Sequence, residues 1–214
     1  IYIELLDIIT LTCEFLETWL HQILYKCELY PKAVFKQQKK FEVPVYIALH
    51  PEVYDYIANF VQSCQPSLEK GDIRYISLTV LEDTDIPVEK FVLEIRSILQ
   101  SVSGIPSDVI LESESTCTLA DLQQYLRACL IKLNSYRFNK LNTENRTFSL
   151  SIEKIEGGLP KQSKENVDNY IDWIPADTHY NWKAIKPLKS VELDLLRFNT
   201  FVMEASRKGK ERRP

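Results

Sequence analysis

The sequence predicts an α+β fold, helices gathered on an antiparallel sheet. Three observations predict it. Three segments repeat apolar residues at helical steps, in the windows 6–27, 51–64 and 119–134. Two adjoining segments, 73–81 and 88–95, alternate apolar and polar residues about a polar turn. Further alternating segments follow the third helix, so helices and strands segregate as in an α+β layer architecture.

The first helix rests on Leu6, Ile9, Cys13, Leu16, Leu20, Ile23 and Cys27, which recur at alternating steps of three and four. That spacing lays them along one stripe. Pro31 ends the segment, because it has no amide hydrogen and disfavours helical backbone before it. Residues 32–49 read as irregular, with a small basic patch at Lys36, Lys39 and Lys40 and a short apolar run from Val43 to Leu49. Pro44 restricts that run to an edge or broken strand. His50-Pro51-Glu52 opens the second helix, with Val53, Tyr56, Ile57, Phe60, Val61 and Cys64 as its apolar face and Pro66 and Gly71 marking its end.

In the next strand Ile76, Leu78 and Val80 alternate with Tyr75, Ser77 and Thr79; residues 82–85 turn, and Phe91, Leu93 and Ile95 share one face of the return strand. After a stretch of low regularity, Ser113, Ser115 and Thr118 offer caps for a third helix whose inward residues are Leu119, Leu122, Leu126, Leu130 and Leu133. Phe148, Leu150 and Ile152 mark another strand. Residues 156–192 lack periodicity and hold two glycines, three prolines and Trp173 and Trp182. So long an unpatterned stretch in a compact domain is usually functional. Each tryptophan there either staples the stretch down or lines a ligand pocket. Leu193 to Met203 reads as a last strand.

With 214 residues, 45% hydrophobic and 26% charged, the chain has material for a substantial core. A net charge of -4 argues against a dedicated nucleic-acid-binding domain. Basic residues do gather in Arg207-Lys208-Gly209-Lys210-Glu211-Arg212-Arg213, which is either a solvated tail, a phosphate-contacting arm or a nuclear import signal. Five cysteines without a C-x-x-C pair fit free thiols in a reducing compartment. Glu4, Asp7 and Glu14 interrupt the apolar opening, which argues against a membrane span, and no secretory pattern is visible after Ile1. No metal-ligand spacing surrounds His21, His50 or His179; no Gly-rich phosphate loop or nucleophile elbow is present. The expectation is a non-enzyme without cofactor, metal or catalytic residues.

Several segments carry a resemblance. Cys13-Glu-Phe-Leu-Glu17, His21-Gln-Ile-Leu-Tyr25, Tyr30-Pro31 with Phe35, Val43-Pro-Val45, His50-Pro-Glu52 with Tyr56-Ile57, and Leu68-Glu-Lys70 occur in order. Pro87-Val-Glu-Lys-Phe-Val92, Leu126-Arg-Ala128, Trp173-Ile174 with Ala176-Asp177, and Pro187-Leu-Lys189 follow. Together they resemble the HORMA family, in the branch of accessory subunits of the translesion DNA polymerase zeta, over nearly the whole chain.

The resemblance implies a HORMA fold, with three helices on an antiparallel sheet. It also implies a single domain over 1–206, with a core of about 1–155, a safety belt of about 156–206, and a basic tail at 207–214. The belt of such proteins wraps a partner's extended segment beside the sheet. Here the implied partner is a proline-containing peptide of the polymerase catalytic subunit, on Tyr56 and Trp173. The C-terminal domain of the scaffold translesion polymerase is implied to dock on Ile185, Pro187, Lys189, Asn199 and Phe201; relatives often carry Gln and Tyr at the last two places. A HORMA–HORMA dimer is implied through Arg127, with Glu28 as an opposing charge. Nuclear localisation, with a cytoplasmic fraction, goes with this reading, and neither specific nucleic-acid binding nor a membrane does. The alternative within the family is an adaptor in spindle-checkpoint, meiotic-axis or double-strand-break repair signalling.

Overall fold

The computed structural model describes residues 5–82, 86–97, 118–138, 145–155, 181–192 and 196–205. Among the described residues, three α-helices pack on one face of a five-stranded antiparallel sheet, and a separate two-stranded hairpin lies beside the first helix. The α+β expectation therefore holds.

Helix α1 spans Leu5–Lys26 and is more deeply embedded than one stripe suggests. Phe15, Leu16, Trp19, Leu20, Ile23 and Leu24 are all fully buried, because α2, α3 and the hairpin surround the helix. Leu6, at the outer end of the expected stripe, is exposed. Buried Gln22 fastens this centre. Its amide donates to Asn134 Oδ1 at 2.5 Å, and its Oε1 accepts the Tyr46 amide at 2.8 Å. One side chain thus satisfies polar groups of the third helix and the hairpin, which burial requires.

The segment read as irregular, 32–49, is ordered. A short 3-10 turn at Lys32–Val34 leads into strands β1, Phe35–Lys40, and β2, Val43–Ala48, paired from Phe35↔Ala48 to Lys40↔Val43. Only Phe35 is buried in β1, so its sequence shows no apolar alternation. Tyr25 of α1 stacks on Tyr46 with ring centroids 3.7 Å apart, fixing the hairpin against the helix. Phe41 and Glu42 take positive φ at its tip.

Helix α2, Pro51–Lys70, begins at Pro51 and runs through Pro66 to the left-handed Gly71, whose amide bonds the Leu68 carbonyl at 3.0 Å. Pro66 forfeits one helical hydrogen bond but does not stop the helix; Gly71, which tolerates positive φ, supplies the stop. Strand β3, Ile73–Glu82, pairs with β4, Ile86–Ser97. Helix α3, Leu119–Ser135, is opened by Thr118, whose Oγ1 accepts the Asp121 amide at 3.2 Å while Asp121 Oδ2 accepts the Thr118 amide at 2.9 Å. The Thr118 hydroxyl, donating to Asp121 Oδ2 at 2.7 Å, and then the Thr118 amide hold the Asp121 carboxyl below its ordinary range.

Strand β5 is Arg146–Lys154, β6 is Trp182–Glu192 and β7 is Leu196–Ala205. The sheet order is β5-β3-β4-β7-β6. β6 corrects the expectation that 156–192 is irregular to its end. The strand carries two register shifts and Pro187, and its one buried residue is Val191, so no period shows in its sequence. Toward the helices the sheet presents Ile76, Leu78, Val80, Phe91, Leu93, Ile95, Phe198 and Val202, all buried in the common core. Among the described residues no helix is long and apolar enough to cross a membrane. Cys13, Cys27, Cys64 and Cys129 are free thiols.

Candidate partner-binding edges of the sheet

The functional interest lies at the two ends of the strand order. β5 forms one edge and β6 the other, and the chain between Lys154 and Trp182 has to join them. Five strands are only about 19 Å from edge to edge, whereas that connection can extend to roughly 90 Å. The covalent path therefore has slack for enclosing an added strand.

The outer side of β5 has no paired strand among the described residues. An edge of unpaired amides and carbonyls is a template for an extended peptide. Phe148, Leu150 and Ile152 point to its helix side, opposite Val80, Leu78 and Ile76, and remain half-buried. Above Phe148 sit two tyrosines. Tyr56 of α2 meets it edge-on at 5.8 Å, and Tyr30, just after α1, does so at 6.4 Å. Burial, together with the neighbouring Tyr56, pushes the Tyr30 phenol up from its ordinary value. Tyr56 was expected on the apolar face of α2, yet 50% of it is exposed. The helical turn carries its ring over the margin of β5 rather than into the core. Tyr30 and Phe148 are members of this aromatic ledge that the sequence reading did not assign to it; their signal was an aromatic beside a helix stop and another at a strand start. Trp173, the second expected peptide contact, lies outside the described residues, as does the basic tail.

The other edge brings four expected residues together and separates a fifth. By register Ile185 lies opposite Met203, Pro187 opposite Phe201 and Ser190 opposite Asn199, all on the sheet face away from the helices. Ile185 is 63% exposed and Pro187 is exposed. The shift between Pro187 and Lys189 places Lys189 opposite buried Thr200, on the helical side, where its charge bears on the Cys129 thiol. Lys189 therefore does not share a face with the other four.

A polar chain ties these residues to the sheet. Ser190 Oγ donates to Asn199 Oδ1 at 2.5 Å, and Asn199 Nδ2 donates to Glu94 Oε2 at 2.7 Å. The Arg96 guanidinium donates to Glu94 Oε1 at 2.6 Å. Burial alone would raise the Glu94 carboxyl, but the hydrogen bonds from Asn199 and Arg96, with the Arg96 and Arg74 charges, hold it below its ordinary value. Asn199 thus spends an amide hydrogen and a carbonyl lone pair inside its own chain. Phe201 packs edge-on against Tyr75 at 6.3 Å.

The expected dimer residues are occupied within the chain. Arg127 of α3 pairs with Glu42 at the hairpin tip, and Glu28 pairs with Lys32 at 3.3 Å. Among the described residues no group of three or more His, Cys, Asp and Glu side chains is placed to hold a metal ion. His21, fully buried, accepts the Ala48 amide at 3.5 Å through Nδ1 and stacks on Tyr54 at 5.7 Å; burial pushes its pKa down to about 4.

An antiparallel sheet with three helices on one face and its last two strands inserted beside β4 is a distinctive topology, and comparison with known proteins agrees with it. The HORMA domain model matches residues 9–133. The human mitotic spindle assembly checkpoint protein MAD2B is 32% identical over 201 residues, 92% of this chain and 90% of the relative. The DNA polymerase zeta processivity subunit of Schizosaccharomyces pombe is 31% identical over 157 residues, 71% of each chain. A chain in the crystal structure of the mitotic checkpoint complex has the same fold, with a TM-score of 0.68 at 16% identity, covering 92% of this chain and 95% of that one. The match of the family model and the similarity to relatives along most of the chain place it in the HORMA domain family.

Proposed function

We propose that this chain is a non-catalytic accessory subunit of DNA polymerase zeta in translesion synthesis. In this reading it traps a proline-containing peptide of the catalytic subunit between the β5 edge and the segment 156–206, and it bridges to the C-terminal domain of the scaffold translesion polymerase. The observation that carries the reading is the outer edge of β5, unpaired among the described residues, where Tyr30 and Tyr56 pack on Phe148, with the chain leaving from that edge and rejoining the sheet at the opposite one. An added strand would gain main-chain hydrogen bonds from β5, and proline rings would pack on Tyr56 and Trp173. The fission-yeast relative, a polymerase zeta processivity subunit, supports the choice of partner. The division into a core of 1–155 and a belt of 156–206, the action in the nucleus, and a dimer through Arg127 and Glu28 belong to the same proposal.

The decisive measurement is binding of a catalytic-subunit peptide to the full chain. Tyr56→Ala and Trp173→Ala should each weaken it by about thirtyfold, the effect of losing a buried aromatic hot spot worth ~2 kcal/mol. Unchanged affinity in both variants would sink the peptide-trapping reading.

A second reading is favoured by the human relative, a spindle assembly checkpoint protein. Affinity purification of the tagged chain separates the two. Recovery of a polymerase catalytic subunit supports the first, and recovery of checkpoint proteins without it supports the second.

A further inference from the structure

Arg74 stands out on the sheet face that carries Ile185, Pro187 and Phe201. It lies at the register shift between β3 and β5, between Ile73 and Tyr75. A bulge of this kind re-aims a side chain. Here the Arg74 guanidinium lies 5.0 Å from the centroid of the Tyr75 ring, and the same ring receives Phe201 edge-on at 6.3 Å. Tyr75 therefore joins Arg74 to the partner face.

The other arginines of this face are neutralised within the chain. Arg96 is held by Glu94 at 2.6 Å, and Arg197 is held by Glu192. Lys90 is half-buried, with the Glu153 charge acting on it. Arg74 is exposed; its charge acts on Glu94 from a distance, but among the described residues it forms no ion pair of its own. A guanidinium stacked on an aromatic ring is already ordered, so less rotamer freedom is lost when it forks onto a carboxylate. Arginine and tyrosine beside exposed apolar residues are the usual composition of an energetic centre in an interface.

We propose that Arg74 receives an aspartate or glutamate carboxylate of the protein that docks on the Ile185, Pro187 and Phe201 face; this rests on the scaffold-polymerase reading given above. Tyr75 is its positioning residue, holding the intrinsically planar guanidinium over its ring.

The test uses the full chain and the C-terminal domain of the scaffold polymerase as probe, with Kd measured between low and physiological salt. Arg74→Gln should weaken binding by about tenfold at low salt and flatten the salt dependence, the behaviour of a charge pair at an interface. Arg74→Lys keeps the charge but loses the stacked fork, and should fall between the two. Ile185→Asp should abolish binding, since it places a charge in the apolar contact. If Ile185→Asp abolishes binding while Arg74→Gln matches wild type at every salt concentration, the docking reading stands and this inference is overturned. If the wild-type chain does not bind the domain, both fall. If Arg74→Gln instead loses affinity for a short DNA duplex and keeps the protein partner, the ligand is phosphate and the inference is overturned.

Discussion

Protonation of His21 should cost the fold a measurable share of its stability. The ring is fully buried between α1 and the hairpin, with Nδ1 accepting the Ala48 amide and Nε2 without a partner among the described residues. A proton on Nδ1 would abolish that acceptor and leave a buried cation with Tyr54 stacked on it. Burial puts the folded pKa at about 4, against 6.5 for a solvent-exposed imidazole. The folded state therefore binds fewer protons than the unfolded state between these values. Its stability is complete above pH ~6.5 and declines as the pH falls toward 4. The gap corresponds to about 3 kcal/mol in full and about 2.5 kcal/mol by pH 4.5. Urea unfolding of wild type and His21→Gln at pH 7.5 and pH 4.5 checks this. Carboxylates titrate in both proteins, so the difference between their pH responses isolates the histidine. Wild type should lose about 2.5 kcal/mol more than the variant. Responses parallel to within roughly 0.5 kcal/mol would refute the argument.

Two further substitutions test the packing and the assembly. Gln22→Ala removes both fastenings of the central helix and leaves the Tyr46 amide and the Asn134 side chain without their present partner; a loss of about 2–4 kcal/mol in denaturant unfolding is expected, and a loss below 1 kcal/mol would show that water replaces Gln22 freely. Arg127→Ala breaks an exposed pair with Glu42, so monomer stability should change by less than about 1 kcal/mol. If the dimer proposal holds, the same variant sediments as a monomer when saturated with peptide; wild-type sedimentation would refute it.

The helices were legible because burial repeats along them: the leucines of α3 and the stripe of α1 are core residues at helical steps. Strands β3 and β4 were legible for the same reason at a step of two. β1 and β6 were not, since each turns little toward the core and breaks its pattern, β1 with its lysines and β6 with Pro187 and two register shifts. The proposed partner residues came one by one from the family resemblance, which carried no arrangement. Tyr56 was visible as an aromatic on a helix, and only the strand order showed that it overhangs an edge left unpaired among the described residues. Lys189 was grouped with Pro187 by the family resemblance, and one extra residue in the strand turned it to the other side. Arg74 carried no signal, because its stacking depends on a bulge formed against β5.

The place of β7 between β4 and β6 also bears on how the chain comes into being. β4 ends at Ser97 and its second neighbour begins only at Leu196, nearly a hundred residues later. At about 5–20 residues per second, translation leaves that side of β4 open for roughly 5–20 seconds. A central hydrophobic strand waiting so long invites pairing with another nascent chain. β4 interrupts its apolar run with Glu89, Lys90, Glu94 and Arg96. Charges spaced in this way discourage edge-to-edge association. Two of them, Glu89 and Glu94, end up almost fully buried in the finished sheet, so charges that keep a waiting strand soluble become polar groups that later residues must satisfy: Tyr136, just after α3, donates to Glu89, and Asn199 of β7 donates to Glu94.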